Sequence, residues 1–112
     1  MALRQDVLRY KKDFDRLYKK GRSVGDKYVV VFHIANGLPY TRKAFLASRK
    51  VGGAVVRNRA RRLMKEGFRT IEKRVKTGKD VLLIARSTIN DKKCAEVEDS
   101  IRKAFEKGGL IV

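Results

Sequence analysis

The chain has 112 residues, 43% of them hydrophobic, and a formal charge of +17. That length suits one domain with a modest core, and the apolar fraction excludes a chain disordered throughout. The charge opposes compaction by self-repulsion and selects polyanionic partners, either nucleic acid or an anionic membrane.

A membrane is disfavoured, because no apolar run approaches the ~18 residues of a spanning helix. Arg4, Asp6 and Arg9 interrupt the N-terminus, so no secretory leader is legible. The single cysteine, Cys94, excludes an internal disulfide and fits the reducing cytoplasm.

In chain order, the first predicted helix runs from about Leu8 to Lys20, with Tyr10, Phe14, Leu17 and Tyr18 at helical spacing and Gly21 as its stop. The β-branched and aromatic stretch DKYVVVFHIA reads as a strand. Asn36, Gly37 and Pro39 mark a turn, and a second strand follows over 41–48, so these two strands are expected to pair as an antiparallel hairpin. Gly52 and Gly53 lead into a helix over 56–76, which Thr77 and Gly78 break. DVLLIA is a short, almost wholly apolar strand of the kind covered on both faces. Thr88, Asn90 and Asp91 are candidate caps for a last helix over 91–107, with Cys94, Val97, Ile101, Ala104 and Phe105 turned inward. The order α-β-β-α-β-α predicts an α+β sandwich of one small sheet and three helices, a single domain with an ordered core at about 8–107.

The densest basic block, between Arg42 and Lys76, holds thirteen Lys or Arg and two acids. Advancing about 100° per residue along its helix puts Val56, Ala60, Leu63, Met64, Gly67, Phe68 and Ile71 in one sector. Asn58, Arg62, Lys65 and Arg69 fall opposite, flanked by Arg57 and Arg61 on one side and Arg59 on the other. An ordinary solvated face mixes both signs to gain i,i+4 pairs. Here Glu66 must serve the whole cluster, and arginine dominates lysine. The guanidinium fork grips two phosphate oxygens at once and stacks on bases, so the face reads as a polyanion grip. The helix N-terminus, approached by Arg49 and Lys50 through SRKVGG, offers free N–H groups to a second anion, although a tight turn would need the glycines equally.

Phe14 and Tyr18 share a helix face, and Tyr28 and Phe32 share a strand face. Aromatics beside a basic groove can stack single-stranded bases, but the pattern alone favours packing in the core. The lone histidine, His33, has no Ser or Cys partner, and one His with one Cys cannot make a structural zinc site. Asp13, Asp15 and Asp26 look like surface partners of nearby bases. A protein-borne active site is not legible.

The segment SRKVGGAVVRNRARRLMKEGFR resembles the signature of the protein subunit of bacterial ribonuclease P, through Ser48, Arg49, Lys50, Gly52, the triplet Arg57-Asn58-Arg59, and Arg61-Arg62-Leu63. DFDRLYKKGRSV is similar to the family's first helix and its exit, and RSTIND to the stretch after its last strand. The likeness runs from about Leu8 to Phe105.

That resemblance implies an α-β-β-β-α-β-α fold like the second domain of a ribosomal protein, with a small mixed sheet and a left-handed β-α-β crossover. It therefore implies one more strand, near 22–24. It also implies a subunit of the tRNA 5′-maturation endonuclease, whose catalytic centre lies in a large RNA that uses magnesium, with no cofactor held by the protein alone and a monomeric free protein. On this sequence the residues facing the catalytic RNA would be Arg49, Lys50, Arg57, Asn58, Arg59, Arg61, Arg62, Lys65 and Arg69. A cleft for the single-stranded 5′ leader of precursor tRNA would be lined by Phe14, Tyr18 and Phe32, with Arg57 and Asn58 near its end. Ala44 stands where a strand glycine is frequent. A structural ribosomal-type protein or a general RNA chaperone would share the charge and size but would not need the aromatic cleft, and a compact DNA-binding protein is disfavoured by the lack of any dimerisation pattern and by a polar helix face with a single amide.

Overall fold

The computed structural model describes residues 5–112. Helix α1 (Lys11–Lys20) is followed by strands β1 (Arg22–Gly25), β2 (Val29–Ala35) and β3 (Arg42–Leu46), helix α2 (Ala54–Arg69), strand β4 (Lys79–Ala85) and helix α3 (Cys94–Lys107). Short 3₁₀ turns at Glu72–Arg74 and Ser87–Ile89 flank β4. The radius of gyration, 13.2 Å, matches the roughly 13 Å expected of such a chain packed as one unit. The packed body exceeds the expected 8–107, since Asp6 and Leu110 are both held to their neighbours.

The strand order is β1-β2-β4-β3. The short strand implied near Arg22 is β1, antiparallel to β2. The expected β2–β3 hairpin does not form. β4 lies between those strands, antiparallel to β2 and parallel to β3. The turn at Asn36 exists, with the Leu38 N–H bonded to the Asn36 Oδ1 at 2.8 Å, but it carries the chain past β4 rather than back along β2. The reason lies in composition. β4 is nearly all apolar, its exposure is lowest through Val81, Leu82 and Leu83, and such a strand belongs in the middle of a sheet with neighbours on both edges. β3 keeps its ladder through the pair Ala44–Leu82, so alanine leaves the strand regular there.

The two faces of the sheet are covered differently. On one, Val29, Val31, Val81, Leu83 and Ala85 meet Ala60, Met64 and Phe68 of α2 and Val97, Ile101, Ala104 and Phe105 of α3 in the main core. Gly67 brings the two helices together: a Cβ there would lie 2.9 Å from the Ile101 Cδ1 and 3.1 Å from the Glu98 Cα. On the other face, α1 supplies Leu17, which meets Leu8 and Leu82, with Phe14, Phe32, Ile34, Ala44 and Ile84 only partly covered.

Several local expectations shift. α1 opens at Lys11, and α2 opens earlier and ends sooner than expected, at Thr70, whose Oγ1 donates to the Gly67 carbonyl at 2.8 Å. None of Thr88, Asn90 and Asp91 caps α3. Lys93 is the N-cap, and Glu96 reaches back to its N–H at 2.9 Å. This later start leaves Cys94 on the exposed first turn rather than in the inner stripe. Tyr28 precedes β2 and packs against the main core, so it does not share the face of Phe32. Asp13 is buried, held by Arg42 rather than by a surface base.

Candidate nucleic-acid interface

Helix α2 divides into the two faces read from its sequence. Ala60, Met64, Gly67 and Phe68 are buried, while Asn58, Arg59, Arg62, Lys65 and Arg69 are exposed. Arg57 and Arg61 are half-buried on the flank. Glu66 pairs with Arg69 at 3.0 Å. Arg61 donates to the Asn58 side-chain oxygen, which fixes both groups, and Arg59 donates to the Lys92 carbonyl at 2.8 Å. The Arg57 Nε is buried with no hydrogen-bond partner. An unspent buried donor of this kind costs about 1–3 kcal/mol.

The N-cap of α2 is Gly53, with no side-chain cap and no acid in the first turn. The loop ahead of it folds on Ser48, whose carbonyl accepts the Val51 N–H at 3.0 Å, and it presents Arg49 and Lys50 to solvent. Asn90 anchors this loop by donating to the Val51 carbonyl at 2.8 Å. This positioning role was invisible in the sequence, where Asn90 read only as a cap.

The second element is the cleft between α1 and the sheet. α1 crosses the strands from the β3 edge, where Arg42 holds Asp13, toward β1, which begins directly after Gly21. Gly21 is required there because a Cβ would run into the Leu17 carbonyl oxygen and sit 3.0 Å from that of His33. Arg42 binds Asp80 through two nitrogens at 2.6 and 2.8 Å, and Asn36 adds a bond to Asp80 at 3.0 Å. The Asp80 hydrogen bond holds the Arg42 guanidinium above its ordinary pKa against the opposing effect of burial, with Asp13 assisting. The bidentate pair ties β3 to β4, and the same guanidinium holds Asp13 of α1 at 3.4 Å, which anchors the wall of the cleft to the sheet.

Phe14 and Phe32 are half-buried and Tyr18 is 46% exposed. The rings of Tyr18 and Phe32 meet edge to face at 5.2 Å and 74°. These aromatics therefore pack and also present ring surface. Beyond them the row Leu46–Ile84–Val30 continues the open floor, and Leu46 is 40% exposed.

A groove of about 500 Å³ joins the two elements around the β3 edge. Phe14, Leu8 and Ala44 line its cleft side, Phe45 and Phe68 its floor, and Arg61, Lys65 and Arg69 its α2 wall. Asn58 faces a separate shallow hollow with Arg61, Arg62 and Lys65. Val7, Leu8 and Lys43 were not singled out from the sequence. Val7 and Leu8 reach the groove because residues 6–8 add to the β3 edge, with the Lys43 N–H bonded to the Asp6 carbonyl and the Leu8 N–H to the Lys43 carbonyl, both at 2.9 Å. Burial works against the charge on Lys43, but hydrogen bonds to Asp6 and Glu72 outweigh it and raise its pKa.

Among the described residues, no three His, Cys, Asp or Glu are grouped as a metal site requires, and no helix is long and apolar enough to cross a membrane.

The comparisons with known proteins agree with one another. The Ribonuclease P family profile matches residues 3–109. The ribonuclease P protein component of Pelotomaculum thermopropionicum is 40% identical over 94% of each chain. That of Alkaliphilus metalliredigens is 38% identical over 93% of this chain and 94% of its own. The structure of the Staphylococcus aureus RNase P protein superposes with a TM-score of 0.87 at 27% identity, covering 97% of this chain and all of that one. The Thermotoga maritima RNase P protein superposes with a TM-score of 0.82 at 27% identity, covering 92% of this chain and 97% of its own. With the profile matched along nearly its whole length, the chain belongs to the ribonuclease P protein family.

Proposed function

We propose that this chain is the RNA-binding subunit of a ribonuclease P holoenzyme, that α2 and its leading loop grip the catalytic RNA, and that the α1 cleft holds the single-stranded 5′ leader of precursor tRNA. The observation that carries the reading is the continuity of an outward guanidinium face with a half-open aromatic cleft through one groove. Arginine forks on α2 bind phosphate pairs, and the uncapped helix start adds backbone donors for another. Phe14, Tyr18 and Phe32 stack bases without regard to sequence, which suits a leader that differs from one precursor to the next. Hydrolysis is the work of the RNA and its magnesium. This chain neutralises phosphate repulsion and holds the leader beside the scissile bond.

Reconstitution tests this directly. Added to a bacterial ribonuclease P RNA at low magnesium, the protein is expected to restore 5′ cleavage of precursor tRNA. Binding should weaken steeply with salt, because each neutralised phosphate releases counterions. No gain in cleavage, together with an affinity flat across a severalfold salt range, would refute the reading. Truncating Phe14 or Tyr18 to alanine separates it from a structural or chaperone role, since only a leader cleft makes precursor binding more sensitive than mature tRNA binding.

A further inference from the structure

At the end of the strands opposite the loop that enters α2, Lys20, Arg22, His33 and Lys79 border a hollow of about 360 Å³. None of the four belongs to the arginine helix or the aromatic cleft. Arg22 pairs with His33 across β1 and β2, and Lys79 pairs with Ala35, two residues beyond His33, so the three side chains share one face of the sheet. That face is otherwise covered by α3, which stops short at Gly108 on the rim of the hollow. Lys20 enters from the last turn of α1.

No acid among the described residues balances this group. Asp80, beside Lys79 in sequence, points to the other face and is occupied by Arg42 and Asn36. Asp26 is taken by Lys107 and Ser100. The carbonyls of Ala104, Phe105 and Glu106 near the end of α3 already accept the N–H groups of Gly108, Leu110 and Gly109. Unanswered like charges converging on a concave surface favour a bound anion. His33 senses the field: burial, then Lys79, then Arg22 push its pKa below the ordinary 6.5.

We infer that Lys20, Arg22, His33 and Lys79 form a second phosphate-binding site, which takes an RNA backbone beyond the cleft. Lys20 lies on the last turn of α1, past Tyr18, so an RNA strand leaving the cleft reaches this cluster by turning round the end of β1 and β2 to the other face of the sheet. The inference rests on the RNA-binding reading above, and the shared chemistry is the phosphodiester, whether of the leader or of the catalytic RNA.

His33 is the only histidine in the chain, so its imidazole proton resonances report on the site alone. Titration with inorganic pyrophosphate, and separately with a short single-stranded RNA, should shift those resonances and move the His33 titration midpoint to higher pH. The charges that act on it are those of Lys79 and Arg22, with Lys20 on the border of the same hollow. In the holoenzyme, Arg22→Gln with Lys79→Gln should flatten the salt dependence of RNA binding by about 0.7 in log–log slope for each single-strand phosphate no longer neutralised. An effect confined to long-leader precursor assigns the site to the leader, and an effect on assembly with the catalytic RNA assigns it to that RNA. Arg62→Ala is measured in parallel. If Arg62→Ala weakens binding while the double variant changes nothing and the His33 signal ignores both ligands, the site is refuted and the main reading stands. If Arg62→Ala is also silent, the main reading falls with it.

Discussion

The two faces of the sheet share the same strands yet are finished to different standards. Under α2 and α3, Phe105, Ile101, Val97 and Met64 have no exposed surface. Under α1, Leu17 and Leu82 are equally sealed, but the surrounding Phe14, Phe32, Ile34 and Ile84 remain half-covered. Two helices close one side, and one helix leaves the other ajar. The closed side supplies most of the sealed core, while the open side keeps apolar surface uncovered, as the proposed leader cleft requires.

Substitutions on the two faces should therefore behave differently. Phe105→Ala empties a sealed site and should cost about 3–5 kcal/mol, read as a lower denaturant midpoint with little direct effect on leader preference. Phe32→Ala on the open face should cost less, about 1–2 kcal/mol. It should also remove a share of the ~1–3 kcal/mol of stacking per base, so precursor tRNA loses more affinity than mature tRNA. Equal stability losses for the two variants would erase the distinction between the faces.

Asp26→Asn probes the polar latch of the closed side and should cost about 1 kcal/mol near neutrality. Asp26 accepts bonds from Lys107 and Ser100, each at 2.8 Å. Burial works to raise its pKa, but those bonds prevail and hold it below the ordinary 3.8. A depressed carboxylate stabilises the fold fully above its unfolded pKa and loses that contribution as pH falls through the folded value. The wild-type advantage should thus persist from neutrality to about pH 4 and shrink below it, as followed by thermal melts across pH. Arg62→Ala should be smallest in stability, within about 0.5 kcal/mol, yet weaken RNA binding. A large drop in melting temperature would mean that α2 is oriented differently.

Much of this division was legible in the primary structure. The helical spacing around Ala60, Met64 and Phe68 fixed the inward side of α2, and its outward side followed by subtraction. Strand pairing was not legible, because the turn at Asn36 and Gly37 is equally compatible with a hairpin and with a chain passing its neighbour. A signal was available, since a strand as apolar as β4 requires cover on both faces and partners on both edges. Cys94 misled because a periodic pattern cannot say where a helix begins. The hollow around His33 escaped because its members are spread along the chain from position 20 to position 79 and meet only through register.

The central placement of β4 also dictates an order of events in folding. β2 and β3 do not touch, and only residues 79–85 join one to the other. A nascent chain that has not yet reached Ala85 can form the β1–β2 ribbon, the short pairing of residues 6–8 with β3, and helices, but not the sheet that joins them, so much of its apolar strand surface stays unsheltered. Assembly of the sheet is a late, long-range event of the kind that slows folding and invites aggregation, and for this chain the last quarter of synthesis is when its vulnerability ends.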